Sequence, residues 1–158
     1  EAGRQSQDLV GCMLREGNLG VCLFGMALVP AVCEELFFRA GVQNLLQRWF
    51  GNVHVAVWLT AMVFSLAHGE VFAFLPRFVL GGLLGYLYVG SGSIVVNMVV
   101  HFVNNAMVVI FSWLYYTGIY GFDPSNPLAI GWEVTFCCTL AAVGVVIATF
   151  GKGLKISR

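Results

Sequence analysis

Three groups of polar side chains interrupt apolar stretches of this chain, and each contains a residue type that can move a proton or bind an oxyanion. The first is CEELFFRAG, carrying Glu34, Glu35 and Arg39. The second is FSLAH, ending in His68. The third is NMVVHFVNNA, with Asn97, His101, Asn104 and Asn105. Glutamate and histidine are common general bases, and histidine and asparagine can donate hydrogen bonds to a tetrahedral intermediate. Together they hold a base, a partner for that base and oxyanion donors, which is what adding water to a carbonyl requires.

Spacing separates these residues by role. Glu35 and Arg39 lie four apart and can pair on one helical face. Glu34 is turned about 100° away and has no such intrahelical partner. An ion pair that merely ends a helix at the membrane surface accounts for Glu35 and Arg39, but not for the second carboxylate. A single histidine in an apolar helix is more often a hydrogen-bonded core residue than a catalyst, so His68 gains chemical meaning only beside Glu34. Positions 97, 101 and 105 recur every four residues and line one helical face. An interhelical amide bond explains one asparagine; three with a histidine indicate a polar stripe facing a cavity. His54 sits near an element boundary and reads as interfacial.

The elements that must position these groups are membrane spans. Of 158 residues, 59% are hydrophobic and 10% are charged, with a mean hydropathy of +0.84. A soluble domain is about a quarter charged. Residues 19–33, 53–67, 78–100 and 134–150 contain no Asp, Glu, Lys or Arg, and about 20 mostly apolar residues cross a bilayer. The expected fold class is all-α, a polytopic transmembrane helix bundle with about five membrane-spanning helices. The expected spans are 19–38, kinked at Pro30; one starting near Val53; 76–89, with Pro76 in its first turn; 94–114; and 132–150. Residues 41–50 (GVQNLLQRWF) read as an amphipathic interfacial stretch, and GSGS at 90–93 as a tight turn.

By domain, this reading gives an N-terminal interfacial segment (1–18), a transmembrane catalytic helical domain (19–150) and a basic cytoplasmic tail (151–158). Lys152, Lys155 and Arg158 favour a cytoplasmic C-terminus in a multi-pass protein of the cell (cytoplasmic) membrane. That orientation puts the 39–52 connection, with Arg39 and Arg48, and the GSGS turn inside. The loop holding Asp123 then lies outside. A start at Glu1 in place of a methionine fits the C-terminal part of a longer protein or a processed form, and an N-terminus expected outside fits a chain that has lost earlier helices. Eight basic and eight acidic residues cancel, so no charge excess points to a nucleic-acid partner; the partner expected from composition is membrane lipid. Four of the five cysteines (Cys12, Cys22, Cys33, Cys137, Cys138) lie in or beside apolar runs and read as reduced packing residues.

Other intramembrane chemistries leave different marks. No HExxH string is present, which removes that zinc-protease motif. The nearest approach to a GxSG nucleophile is Val89-Gly90-Ser91-Gly92, and the only aspartates, Asp8 and Asp123, lie outside the expected helices. A nucleophilic Cys33 would have to pair with a histidine, although neighbouring residues diverge by about 100° on a helix. EExxxR (Glu34, Glu35, Arg39), FxxxH (Phe64, His68) and HxxxN (His101, Asn105) follow in that order on separate helices. This combination resembles the CAAX protease and bacteriocin-processing (Abi) family of intramembrane endopeptidases, over about residues 19–111.

The resemblance implies that Glu34 and His68 activate the attacking water. It implies that His101 and Asn105 form the oxyanion hole, with Glu35 and Arg39 in support. The family includes members described as metal-dependent and as metal-free. Zinc is possible if Glu34, His68 and His101 are ligands, but Glu34 is then no longer free to act as base; the reading taken is the one without cofactor. Substrates of the family are peptides or proteins, prenylated or not. The alternative on the same scaffold is a non-catalytic membrane binding or bacteriocin-immunity protein. A proton-coupled transporter fits less well, since no inverted repeat stands out.

One geometric difficulty follows from these boundaries. They set Glu34 near the inner face and His68 at the far end of the second span, fifteen residues or about 22 Å away. The expected remedy is a second span that continues through 69–72 to about Leu75, lowering His68 and bringing Glu70 and Arg77 into the membrane region.

Overall fold

The computed structural model describes residues 17–69 and 73–119, with Gly11, Met13, Leu14 and Gly144. Every regular element among them is helical: α1 (Leu19–Phe50), α2 (Val53–Ala67), α3 (Phe74–Ser91) and α4 (Ile94–Tyr116). The chain is a polytopic helical bundle. By length and hydropathy α1, α3 and α4 can each cross a membrane, and α2 is a shorter apolar helix. The expected fifth span at 132–150, the Asp123 loop and the basic tail lie outside the described residues.

The largest correction concerns α1. It does not end near residue 38; its 32 residues run on to Phe50, roughly 48 Å of helix. Residues 41–50 belong to this helix and form no separate interfacial stretch. Polarity around residues 39–43 suggested an exit from the membrane, but Glu35, Arg39 and Gln43 are all fully buried and point into the bundle. Arg39 is therefore no topological charge at a membrane surface.

Two parts of α1 wind more widely than an α-helix. Residues Leu23–Leu28 are π-helical, and Val29 N–H reaches back to the Phe24 carbonyl. Pro30 follows directly; its ring crowds the carbonyl four residues earlier and it has no N–H to give, so the preceding turn opens. Glu35–Gln43 is the second π stretch. Positions four apart drift by about 40° per step on an α-helix, and i→i+5 winding removes part of that drift. Glu35, Arg39 and Gln43 thus share one inward row.

Turns are set by local chemistry. Gly51 takes a left-handed conformation (φ 62°), and the Asn52 side chain then caps α2 by accepting from His54 N and Val55 N at 2.9 and 3.2 Å. Gly92, also left-handed, ends α3 two residues before α4. The α2–α3 connection is tied by Ser65 Oγ, which donates to the Phe74 carbonyl at 2.6 Å.

Helices α2 and α3 pack closely because α3 presents glycines to α2. A Cβ on Gly85 would lie 2.8 Å from Val57 Cγ1 and 3.1 Å from Gln43 Oε1. Replacing Gly85 with Ala forces these atoms apart, and overpacking of this kind costs about 1–3 kcal/mol. A lower thermal-unfolding midpoint in detergent is the expected result, and an unchanged midpoint would refute the close approach.

Apolar clusters flank the polar row on both sides. Leu14, Cys22, Ala27 and Val109 pack at one end, and Leu84, Leu87 and Val100 at the other. Phe24, Phe37, Leu66 and Val95 are exposed, as expected of side chains that face lipid in an integral membrane protein.

Candidate active site

Helix α2 stops at Ala67, with His68 as its capping residue. Gly69 follows in a left-handed conformation (φ 69°), the usual way to terminate a helix. The expected extension to Leu75 is therefore incorrect, and Glu70 lies outside the described residues. Glu34 and His68 meet because α1 is long. Glu34 lies sixteen residues before Phe50, and His68 fifteen after Val53. On antiparallel helices joined at Gly51-Asn52, both lie about 22–24 Å from the turn.

At that level Glu34 Oε1 is 3.9 Å from His68 Nε2, and Glu34 Oε2 is 3.7 Å from His101 Nε2. These gaps exceed direct hydrogen-bond range. The side chains of Glu34 and His68 are 27% and 29% exposed, whereas that of His101 is 3% exposed. Three sets of ligating or basic atoms thus converge from α1, the end of α2 and α4. The side chain of Cys33, next in sequence to Glu34, is exposed.

Each imidazole has a partner that orients it. His68 Nδ1 is 2.8 Å from the Phe64 carbonyl, which can only accept, so Nδ1 carries the proton and Nε2 presents a lone pair in the neutral ring. The FxxxH spacing follows directly, since a carbonyl one turn back is within reach of the ring. Phe64 also packs edge-on against His68 at 4.8 Å and lies 5.2 Å beneath the Arg39 guanidinium. His101 Nδ1 is 2.8 Å from Glu35 Oε1, so its proton too sits on Nδ1 and its Nε2 faces Glu34.

Glu35 is the hub of the buried side. Its Oε1 also lies 3.1 Å from Arg39 NH1. That contact is an ion pair without hydrogen-bond alignment, because Arg39 NH1 and Nε find no aligned acceptor among the described residues. Arg39 NH2 donates to the Gly81 carbonyl at 3.1 Å, and Gln43 Nε2 donates to that of Gly85 at 3.1 Å. Glu35 Oε2 accepts from Asn97 Nδ2 at 3.1 Å. The expected Glu35–Arg39 pair is present, and Glu34 stands apart from it.

The asparagines divide. Asn97 is fully buried and faces Glu35 and the Leu84 carbonyl, the latter at 2.7 Å, so it is the interhelical amide and not part of a cavity wall. Asn105 is one turn beyond His101; its Oδ1 is 3.4 Å from Asn104 Nδ2, leaving its own Nδ2 as a donor. Sequence reasoning did not find Gln43 or the link from Asn97 to Glu35. The four-residue repeat 35, 39, 43 was the signal for Gln43.

For a metal, the donor types of Glu34, His68 and His101 are suitable, and their facing atoms lie 3.7 and 3.9 Å apart. Among the described residues no three His, Cys, Asp or Glu side chains are arranged to hold an ion. An apolar surface hollow of about 410 Å³, lined by His54, Trp58, Met62 and Phe78, lies elsewhere, along the outer side of α2 and α3.

No curated protein and no solved structure matches the chain. Residues 16–107 match the family described as type II CAAX prenyl endopeptidase Rce1-like. The matched segment runs from just before α1 to the turn of α4 beyond Asn105, and so contains every residue of the cluster. The chain belongs to the Rce1-like family of type II CAAX prenyl endopeptidases.

Proposed function

We propose that this protein is an intramembrane endopeptidase that hydrolyses a peptide bond with a water activated by Glu34 and His68. The observation that carries the reading is the convergence of the Glu34 carboxylate with the Nε2 atoms of His68 and His101. A water held there donates one hydrogen to Glu34 Oε1 and the other to the lone pair of His68 Nε2. Its own lone pair then points outward at the substrate carbonyl.

As the water oxygen bonds to the carbonyl carbon, its proton passes to Glu34 and the carbonyl π electrons move to oxygen. The oxyanion is met by His101 Nε2–H and Asn105 Nδ2–H. Because the His101 Nδ1 proton is engaged by Glu35, donation from Nε2 requires the doubly protonated ring. Its added charge faces Glu34 at 3.7 Å and then the oxyanion, while Glu35 stays paired with Arg39. Collapse of the intermediate re-forms the carbonyl and breaks the C–N bond. Glu34 returns its proton to the leaving nitrogen, giving an acid and an amine.

No step passes through a metal. The substrate is a peptide or protein at the membrane. In cellular orientation the chain is read as a multi-pass protein of a cytoplasmic-type membrane, with Lys152, Lys155 and Arg158 on the cytoplasmic side.

The test is cleavage of farnesylated and unmodified CAAX-type peptides by purified, detergent-solubilised protein, with and without chelator, beside His68→Ala. Expected are cleavage that survives the chelator and a loss of about 10²–10⁴-fold in kcat/KM for His68→Ala. Abolition by chelator would overturn the metal-free reading. No cleavage of either peptide by the folded wild type would favour the non-catalytic alternative.

A further inference from the structure

Glu35 can be satisfied in two ways, and the structure shows it held in the one that serves His101. An arginine and a carboxylate four apart on a helix favour a two-pronged pairing, with two parallel N–H···O bonds. Arg39 has the donors for it, since NH1 and Nε are buried without aligned acceptors among the described residues. Glu35 instead turns Oε1 to His101 Nδ1 at 2.8 Å and keeps only a single 3.1 Å ion contact with Arg39. What opposes the two-pronged pairing is Asn97. Its Nδ2 group holds Oε2 at 3.1 Å and the Leu84 carbonyl at 2.7 Å. Both partners are acceptors, so the amide cannot be flipped without placing its oxygen against them. Leu84 O belongs to the backbone of α3, which gives this tether a rigid anchor.

We propose that Asn97 is a positioning residue, which holds the Glu35 carboxylate on the His101 imidazole and away from a bidentate pairing with Arg39. It acts through Glu35 and touches no reacting atom. The catalytic significance rests on His101 as an oxyanion donor; the structural coupling stands without it.

The chain has three histidines, so ¹⁵N-histidine labelling with one single-histidine substitution per ring assigns every imidazole in detergent-solubilised protein. In Asn97→Ala, Glu35 swings to Arg39. The His101 Nδ1–H resonance loses its carboxylate-bonded position while those of His54 and His68 stay put. With substrate, kcat falls about 10–100-fold and KM changes by less than about twofold. An unmoved His101 resonance in folded Asn97→Ala overturns the proposal.

If the wild type cleaves nothing, the catalytic reading fails, and the resonance still decides the role of Asn97. Should Asn97→Ala not fold, the wild type supplies a second measurement. Its Asn97 side-chain amide, with donors committed to Glu35 and Leu84, should exchange hydrogen at least about 10²-fold slower than an exposed asparagine amide. Exchange at the exposed rate overturns the proposal equally.

Discussion

Glu34→Gln is expected to lower kcat/KM by about 10²–10⁴-fold, the usual worth of a positioned general base, while the protein stays folded. Glutamine keeps the shape of the side chain but loses its negative charge and its ability to take a proton. The structure makes this a clean substitution. The Glu34 side chain is about a quarter exposed, and its contacts with His68 and His101 are 3.9 and 3.7 Å. No short bond is broken, so the change in stability should stay within about 0.5 kcal/mol. Peptide cleavage and thermal unfolding of the same preparations decide the matter. Wild-type turnover in Glu34→Gln would remove Glu34 from the chemistry.

Arg39→Met should have the opposite signature, a large loss of stability. Arg39 is fully buried and faces Glu35, the Gly81 carbonyl and the Phe64 ring. Methionine preserves much of the volume but leaves Glu35 as a buried carboxylate without its counter-charge. Removing one partner of a buried pair costs about 3–5 kcal/mol. The double variant Glu35→Gln/Arg39→Met removes the stranded charge and should be more stable than Arg39→Met alone. Non-additivity of this kind is the mark of direct coupling. If unfolding of Arg39→Met in detergent matches wild type, or if the double variant is the less stable of the two, the buried ion pair does not carry the bundle.

Much of this architecture is legible in the sequence because membrane helices announce themselves by composition. The start of α2, the first-turn Pro76 of α3 and the start of α4 all lie where apolar runs and turn residues put them. The end of α1 does not. Its last third looks amphipathic, and hydropathy cannot distinguish a polar residue that meets water from one that meets a carbonyl on a neighbouring helix. Arg39 and Gln43 are of the second kind, bonded 42 residues away to Gly81 and Gly85.

A helix ending near residue 38 separates Glu34 from His68, and a longer α2 does not close the gap, because the missing length belongs to α1. Within the cluster, spacing reveals what is local: the Glu35–Arg39 pair and the His68–Phe64 turn. It is silent on Asn97, whose partners are a carboxylate 62 positions away and a backbone oxygen on α3. The matching four-residue steps of Arg39–Gln43 and Gly81–Gly85 were the one trace of that docking.

The shortness of α2 has a consequence for the lipid around it. Fifteen residues give about 22 Å of helix, while the hydrocarbon slab is about 30 Å thick. Roughly 8 Å of the slab is left to be shared between the two ends of α2, of which His68 caps one. A bilayer answers such hydrophobic mismatch by thinning, which draws headgroups and their hydration inward. The proposed hydrolysis needs water at a depth where lipid would normally exclude it. On the proposed reading, a bilayer that dips at the His68 end of the truncated helix would bring water to the imidazole.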